Sequence, residues 1–356
     1  MANTAGMHGG MNVTSHRPTI YDVASTAGVS LATVSRVING SAPVTEATRR
    51  RVLDAAGALG FRPSLVASSL SRRRTQTLGL VVPDIANPFF AELARAVEHA
   101  AAGRGFAVFV CSTDERATVE AASVDALTRR RVDGLILCTG NPVTFDLARR
   151  SGVAAVSVAR DLPDGADGHW AVVLNDRLGG RLAVRHLLRL GHRRIGFLGE
   201  SARIPSSESR RQGYLDAMRE AGAPVSPSWM ADVPAHAPRR LADAVRRLQA
   251  EGLTAVCVAA DAVALRLVRA LREVGMNVPE AISIVSFDDT EIARLLEPPL
   301  TSVRQPIGRM GRIAVEILVA GTGDERARRR LVRPSLVARA STAPLATGDA
   351  GATGLR

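Results

Sequence analysis

The chain has 356 residues, of which 46% are hydrophobic, a composition that supplies the buried cores of two or three domains and excludes a disordered chain. Its formal net charge is +12, and every basic side chain is an arginine, an excess that favours a polyanionic partner. The three cysteines, Cys111, Cys138 and Cys257, are far apart in apolar runs, which argues against a disulfide framework or a cysteine metal cluster.

The first 18 residues are rich in Gly, Ser, Thr and Met and show no periodicity, so we predict a flexible tail over residues 1–18. They also lack the apolar middle segment of a secretory signal, and no run of 18 or more apolar residues follows them. We therefore expect a cytoplasmic protein without a membrane partner.

A helix-turn-helix domain with three short helices is predicted over residues 19–61. Thr19 followed by Asp22 is typical of a capped first helix, and Gly28 permits a tight turn after it. Ser30 caps the second helix, and a third helix follows. Apolar residues three and four apart predict the inward faces, which comprise Ile20, Val23, Ala24, Ala27, Val34, Val37, Ile38, Val52, Ala55, Ala56 and Leu59.

The outer face of the second helix is suited to reading DNA. In a helix-turn-helix this helix enters the major groove, where Leu31 and Ala32 can contact thymine methyl groups and Arg36 can bond a guanine. Nine arginines against three carboxylates between residues 17 and 76 supply positive charge. The predicted DNA contacts are Ser30, Leu31, Ala32, Thr33, Ser35, Arg36 and Asn39, with Thr19 and Tyr21 from the first helix. The alternative is a structural three-helix module with a solvated arginine.

Beyond Thr77 short apolar runs alternate with amphipathic helices. Seven predicted strands begin at Thr77, Phe106, Asp133, Val153, Arg194, Thr254 and Ser283. Continuous apolar strands of this kind are typical of parallel sheets buried on both faces. The pattern predicts a doubly wound α/β architecture, and its length, residues 77–341, favours two similar lobes with a cleft between them.

Four stretches of the chain resemble a known family: DVASTAGVSLATVSRVING, LGLVVPDIANPFFAELARAVE, GHRRIGFLGE and VPEAISIVSFDDTEIARLLEPPLTSVRQP. Their order between Thr19 and about Ser341 is similar to that in the lactose-repressor/galactose-repressor (LacI/GalR) family of bacterial regulators. The resemblance implies an all-α helix-turn-helix domain followed by a two-lobed α/β effector domain of the periplasmic-binding-protein-like type (type I). It also implies a repressor without a cofactor that binds palindromic operator DNA as a homodimer.

Residues 62–76 correspond to the family's hinge. In the family this segment forms a short helix in the minor groove when two subunits occupy one operator. By position, Ala67 and Leu70 match the residues that approach the groove, with Leu70 as an apolar wedge that kinks the DNA. The alternative for Leu70 is a core position, but the serines and three arginines around it favour the wedge.

Open α/β sheets bind ligands at the carboxyl ends of their strands, and polar residues follow several predicted strands here. Arginine, carboxylates and hydroxyls together suit a small multi-hydroxyl effector, such as a carbohydrate. The resemblance implies Arg210 and Asp288 as effector contacts, Phe90 as a stacking or lid residue, and Asp261 as a second acidic contact or a structural anchor. Ser207 completes the predicted contacts. The alternatives are capping roles for both aspartates and a core position for Phe90.

The chain departs from the family pattern at several cleft positions. Ala159 stands where relatives carry an acidic residue before Arg160, and Ala260 stands where asparagine is common before Asp261. Val233 occupies a position that is often aromatic. The usual sugar-contacting set is therefore incomplete, which predicts an unusual effector or none.

Two other classes of function compete with this interpretation. Doubly wound sheets host many enzymes, but the sequence contains no glycine-rich phosphate loop, nucleophile elbow or metal-ligand spacing. A solute-binding protein has a similar two-lobed fold, but it would lack the arginine-rich N-terminal domain. Residues 342–356 are predicted as a flexible tail without the heptads of a tetramerising coiled coil, so a dimer is expected.

Overall fold

The computed structural model describes residues 18–40, 42–62, 74–162, 169–201, 204–234, 237–320 and 328–345. Contacts divide the chain into two compact units, residues 1–75 and 76–356. Within the described ranges no helix is long and apolar enough to cross a membrane.

The described part of the first unit contains the helices α1 (Ile20–Ala27), α2 (Leu31–Asn39) and α3 (Glu46–Ala58). The predicted caps are confirmed. The Asp22 carboxylate accepts hydrogen bonds from the backbone N–H and the hydroxyl of Thr19, at 2.7 and 2.8 Å. Gly28 adopts φ +62° between α1 and α2, a left-handed conformation that the absence of a Cβ permits. At the start of α2, Ser30 Oγ accepts a hydrogen bond from the Thr33 N–H.

One small apolar core joins these three helices. Each helix contributes a valine that is fully buried: Val23, Val34 and Val52. All residues of the predicted inward faces are buried in this core or packed against it. Because the inward positions of α2 are filled in this way, its opposite side is exposed at the surface of the unit.

The second unit contains twelve strands within its described residues. They are β1 (Thr77–Val82), β2 (Ala107–Ser112), β3 (Gly134–Leu137), β4 (Ala154–Val158), β5 (Trp170–Leu174), β6 (Ile195–Gly199), β7 (Met230–Asp232), β8 (Ala255–Val258), β9 (Ser283–Asp288), β10 (Thr301–Arg304), β11 (Arg329–Val332) and β12 (Ser335–Val337). The first sheet has the order β11-β5-β4-β3-β1-β2 and the second β12-β10-β9-β8-β6-β7. Neighbouring strands are parallel except for the antiparallel pair β10–β12.

Helices cover these sheets and connect the two lobes that they define. They are α4 (Pro88–Ala102), α5 (Ala117–Arg129), α6 (Pro142–Arg150), α7 (Asp176–Arg189), α8 (Pro205–Glu220), α9 (Pro238–Ala250), α10 (Asp261–Glu273), α11 (Glu291–Leu295) and α12 (Ile307–Ala320). α7 leads from the first sheet into the second. α12 returns from the second sheet and packs against α4 and β4 of the first.

The predicted α/β architecture is confirmed, and all seven predicted strands are present, as β1 to β4, β6, β8 and β9. The other five strands, β5, β7, β10, β11 and β12, were not predicted. β7 and β12 have only three residues each, and β11 is an edge strand whose first three residues are exposed. Such strands carry no continuous apolar run, so periodicity gives no signal for them.

The C-terminal boundary also differs from the prediction. The Ala343 N–H donates to Ser283 Oγ at 3.1 Å, and the Leu345 N–H donates to the Leu190 carbonyl at 2.8 Å. Residues 342–345 are therefore bound to the second lobe, and the start of the predicted flexible tail at residue 342 is wrong. Backbone hydrogen bonds hold this segment, and they leave no mark in the side-chain pattern.

Three glycines let α7 lie very close to its neighbours. A Cβ on Gly180 would lie 2.2 Å from the Arg210 carbonyl oxygen of α8, and one on Gly213 would lie 2.1 Å from a backbone carbonyl oxygen of α7. A Cβ on Gly179 would lie 2.3 Å from the ring of Phe287 at the end of β9. Only glycine fits at these three positions without a shift of its neighbours.

We predict that Gly213→Ala lowers the free energy of unfolding of the second unit. Overpacking typically costs about 1–3 kcal/mol, and here the new methyl group meets backbone that cannot rotate away. Gly308→Ala in α12 is the control, because no atom lies within 4 Å of its added Cβ. Urea denaturation of both variants measures the effect, and equal midpoints for Gly213→Ala and the wild type would contradict the prediction.

Candidate nucleic-acid interface and ligand cavity

The exposed side of α2 carries three of the residues predicted to contact DNA. Leu31 is 38% exposed, and Ala32 and Arg36 are exposed beside it. Tyr21 of α1 is 68% exposed. A large aliphatic, an aromatic and a guanidinium side chain are thus presented by the surface of one small three-helix unit.

The other predicted residues of α2 form hydrogen bonds within the helix. The hydroxyls of Ser30 and Thr33 lie 2.9 Å apart, and Asn39 Nδ2 donates to Ser35 Oγ at 3.1 Å. These four side chains therefore help to order the helix on which the exposed residues lie. The predicted hinge residues Ala67 and Leu70 fall outside the described residues.

A run of arginines on α3 adds positive charge to the first unit. Arg50 and Arg51 are exposed, and Arg49 is half-buried. These three arginines contribute to the positive charge between residues 17 and 76, but none of them was predicted to contact DNA. The run of three arginines could have indicated surface positions, because three adjacent residues in one helical turn cannot all face a core.

A cavity of about 660 Å³ lies between the two lobes of the second unit. Its walls are segments that follow β1, β2, β3 and β4 of the first sheet and β6 and β7 of the second. These are the carboxyl ends of parallel strands, where open α/β sheets bind ligands. The lining residues are Asp84, Asn87, Phe90, Asp114, Glu115, Ala117, Glu120, Thr139, Gly140, Asn141, Arg160, Glu200, Ser201, Ile204, Pro205 and Pro234.

Arg160 provides the guanidinium of the first-lobe wall. Its Nη1 and Nη2 donate to the two carboxylate oxygens of Glu115, at 2.8 and 2.6 Å. The guanidinium carbon lies 5.7 Å from the centroid of the Phe90 ring. Because two hydrogen bonds hold the planar group, Arg160 has a fixed orientation in the wall.

A second group in the first lobe is held by hydroxyls. The buried Glu120 accepts hydrogen bonds through Oε2 from the hydroxyls of Thr139 and Thr144, at 3.0 and 2.9 Å. Thr139 Oγ1 in turn accepts a hydrogen bond from the Asn141 N–H at 3.0 Å. This chain of bonds fixes the segment after β3 along the cavity.

Glu200 lines the cavity from the second lobe. Its backbone N–H donates to Ser207 Oγ at 3.1 Å, whereas its carboxylate makes no hydrogen bond or ion pair with the described residues. Burial raises the pKa of Glu200, against the opposing charges of Arg160 and Arg210. Ser207, a predicted effector contact, therefore positions the Glu200 segment and does not line the cavity.

Arg210, the other predicted contact on α8, lies behind this wall and is only 5% exposed. Its Nε donates to Asp176 Oδ1 at 2.7 Å, and its Nη1 donates to the Ala259 carbonyl at 2.6 Å. Its guanidinium carbon lies 3.9 Å from the centroid of the Phe287 ring. Protein partners thus accept hydrogen bonds from Nε and Nη1 of the guanidinium that the prediction assigns to the effector.

Asp288 and Asp261 are also buried and do not line the cavity. Asp288 lies 3.8 Å from Arg210 Nη1 and accepts a hydrogen bond from Gln305 at 2.6 Å. Asp261 accepts hydrogen bonds from two serine hydroxyls and from the N–H and hydroxyl of Thr290. Burial raises the pKa of Asp261 to about 6 although these donors favour its charged form. This geometry favours the structural-anchor alternative for Asp261.

Among the five predicted effector contacts, Phe90 is the one that lines the cavity. The missed residues include Glu115, Arg160 and Glu200, each of which follows a predicted strand. Their positions near the carboxyl ends of parallel strands are a signal for ligand binding. The family resemblance instead led to the choice of residues on α8 and β9. The described cavity lies at the strand ends where the sequence predicts ligand binding, and the assignment of effector contacts stays a prediction.

Known families and proteins match the chain over nearly all its length. Residues 19–64 match the family of bacterial regulatory proteins, lacI family, and residues 184–342 match the periplasmic binding protein-like domain. The HTH-type transcriptional regulator DegA of Bacillus subtilis (strain 168) is 35% identical, over 93% of this chain and 100% of DegA. These matches are to regulators and exclude the enzyme alternative.

Two solved structures align with both units. One is a complex of the transcriptional regulator CelR with cellobiose, at 32% identity and a TM-score of 0.67, covering 91% of this chain and 100% of that one. The other is the lac repressor dimer bound to operator and the anti-inducer ONPF, at 28% identity and a TM-score of 0.79, covering 92% and 99%.

We predict that Arg210→Ala destabilises the second unit. It leaves the buried carboxylates of Asp176 and Asp288 without their guanidinium, and breaking a buried ion pair costs about 3–5 kcal/mol. Urea denaturation followed by tryptophan fluorescence measures the free energy of unfolding. Arg219→Ala on the same helix is the control, since its side chain is 77% exposed and its removal costs within about 0.5 kcal/mol. Equal stability of the two variants would contradict the structural role of Arg210.

Proposed function

Because the chain belongs to the LacI family of bacterial regulatory proteins and is a transcriptional regulator with a DNA-binding domain and an effector domain, we propose that it is a cytoplasmic repressor. It binds a palindromic operator as a homodimer under the control of a small polar effector. The observation that carries the proposal is the capped three-helix unit whose α2 exposes Leu31, Ala32 and Arg36.

The proposed base reading follows from the chemistry of that surface. Leu31 and Ala32 make apolar contacts with thymine methyl groups in the major groove, and Arg36 donates two hydrogen bonds to the acceptor atoms of a guanine. Arg50 and Arg51 add contacts to phosphates, which strengthen binding to any duplex without reading its sequence. The exposure of the Arg36, Arg50 and Arg51 guanidinium groups supports base reading and phosphate contact, because among the described residues no buried group binds them.

The segment 62–76 is proposed to be the hinge, with Ala67 and Leu70 in the minor groove. The division of the chain into compact units after Thr75 is compatible with a linker at this place. An apolar wedge between base steps costs a few kcal/mol of unstacking, which the wider contact with bent DNA offsets.

The homodimer is proposed to form partly through the outer edge of β2. This strand is at the end of the first sheet, and Phe109 and Val110 are 48% and 41% exposed. Exposed apolar edge strands invite pairing with another chain, and soluble proteins normally cover them. Two-fold symmetry places two copies of α2 on the two halves of an inverted repeat.

The cavity between the lobes is the proposed effector site. Its volume of about 660 Å³ suits a small ligand, and Phe90 and Arg160 give it both apolar and polar walls. A ligand that binds one arrangement of the lobes more tightly shifts the population of the DNA-binding state, typically by about 1–3 kcal/mol of coupling. The cellobiose complex of CelR supports a sugar-like effector.

We predict that Arg36→Ala removes sequence preference at one base pair of each half-site. The full-length protein selects DNA from a random duplex library, and sequencing of the selected duplexes gives the preference. An inverted repeat is expected for the wild type, and loss of a bidentate contact with guanine costs about 1–3 kcal/mol. Arg129→Ala, an exposed change of equal charge in the second unit, should leave the repeat unchanged. Absence of any preferred sequence for the wild type would overturn the proposed function.

We predict that Phe109→Asp shifts the full-length protein from dimer to monomer. A carboxylate at the centre of an apolar interface is desolvated without a partner and opposes association. Analytical ultracentrifugation measures the oligomeric state. Leu331→Asp is the matched control, since Leu331 is 53% exposed on β11 at the opposite edge of the same sheet. If Leu331→Asp and not Phe109→Asp dissociates the dimer, the edge of β2 is not the interface.

A further inference from the structure

The cavity between the lobes has an excess of negative charge among its described residues. Its lining includes five carboxylates, Asp84, Asp114, Glu115, Glu120 and Glu200. The described lining contains one guanidinium, that of Arg160. The whole chain carries a formal charge of +12, so this described part of the lining has the opposite sign to the chain as a whole.

Other groups of the protein stabilise most of these carboxylates. Arg160 forms two hydrogen bonds with Glu115, and the hydroxyls of Thr139 and Thr144 donate to Glu120. The Ala86 N–H donates to Asp84 Oδ1 at 2.8 Å. These bonds satisfy individual oxygens, and among the described lining residues the compensating positive charge is that of Arg160.

Glu200 is different, because nothing in the described residues binds its carboxylate. Ser207 holds its backbone, and its side chain is largely buried at the cavity wall. The nearby Arg210 forms no hydrogen bond or ion pair with Glu200 among the described residues, since its Nε and Nη1 donate to Asp176 and to the Ala259 carbonyl, and its charge acts on Glu200 from a greater distance. A buried carboxylate without a partner is unfavourable, and a bound cation would remove the cost.

The rest of the lining suits a polar ring. Phe90, Ile204 and Pro205 offer apolar surface for the face of a ring, and Thr139 and Asn141 offer neutral groups that can bond hydroxyls. An anionic ligand would meet like charge on both lobes.

On the premise of the proposed function, that this cavity is the effector site, we propose that the effector is a cation, an amino sugar whose ammonium group lies beside Glu200. The ammonium supplies three donors and one positive charge to a wall that has an unpaired acceptor. The sugar hydroxyls bond the first-lobe groups, so the ligand bridges the two lobes.

Calorimetric titration of the full-length protein at pH 7 tests the proposal. The probes are glucosamine, galactosamine and mannosamine, each beside its neutral parent sugar, together with glucose 6-phosphate as an anion. We expect at least one amino sugar to bind tenfold or more tightly than its parent, and glucose 6-phosphate to bind no more tightly than glucose. If no amino sugar is preferred tenfold, or if the phosphate binds best, the proposal is overturned.

Two variants locate the charge that is recognised. Glu200→Gln should reduce the preference for the amine over its neutral parent to less than threefold. Asp114→Asn, an exposed change on the other lobe, provides a second variant of the same wall and should reduce the preference by a smaller factor. Glu273→Gln is the control, since this exposed carboxylate of α10 is outside the cavity. A preference for the amine that survives Glu200→Gln overturns the proposal, whatever the effect of Asp114→Asn.

Operator binding measured in parallel separates this inference from the proposed function. If the protein selects an operator and a neutral sugar changes that affinity, the effector role stands and the inference of a cationic ligand fails. If an amino sugar binds with the expected dependence on Glu200 but operator affinity does not change, the ligand class stands and the effector role fails.

Discussion

The close crossing of α7 and α8 determines how the two lobes of the second unit are joined. Gly180 and Gly213 let the helix backbones touch, which brings Asp176 at the start of α7 to Arg210 of α8. A guanidinium buried at this depth needs compensation, and a carboxylate, a backbone carbonyl and an aromatic face provide it. Asp176 lies two residues after β5 of the first sheet and Ala259 directly follows β8 of the second, so the hydrogen bonds of Arg210 tie the start of the connecting helix to the second lobe.

The walls of the cavity follow from that arrangement. Behind the second-lobe wall, Arg210 is held in place, and Ser207 on the same helix bonds the backbone of Glu200. In the first lobe two hydrogen bonds between Arg160 and Glu115 order the wall in the same way. Each wall is thus ordered before a ligand arrives, so binding need not bear the entropy cost of fixing these side chains. The carboxylate of Glu200 differs from these ordered groups, because no described residue forms a hydrogen bond or ion pair with it. Such a carboxylate is suited to discriminate between charged and neutral ligands.

The sequence predicts those features that depend on neighbouring residues. The Thr19–Asp22 cap and the turn at Gly28 are local, and the seven apolar strands are continuous runs, so all were found. β5 is also a continuous apolar run, buried at all five residues, and its local pattern does not explain why it was missed. The strand β11 pairs with β5 from more than 150 residues away, a contact that no local pattern shows. The partners of Arg210 are similarly distant: Asp176 is 34 positions earlier and Ala259 is 49 later. No local pattern shows that these contacts occupy a side chain that the family resemblance assigns to the effector.

The exposed surface of the first unit and the described lining of the cavity carry opposite charges, which suits them to chemically different partners. The first unit exposes Arg36, Arg50 and Arg51, and a polyanion binds such a surface by displacing its counterions. The cavity of the second unit is lined with carboxylates, which repel phosphates and attract cations. The exposed arginines of the first unit and the carboxylates of the cavity therefore favour ligands of opposite charge. Because the proposed DNA-binding surface and the proposed effector site are different parts of the chain, coupling between them requires a ligand that binds one state of the protein more tightly than the other.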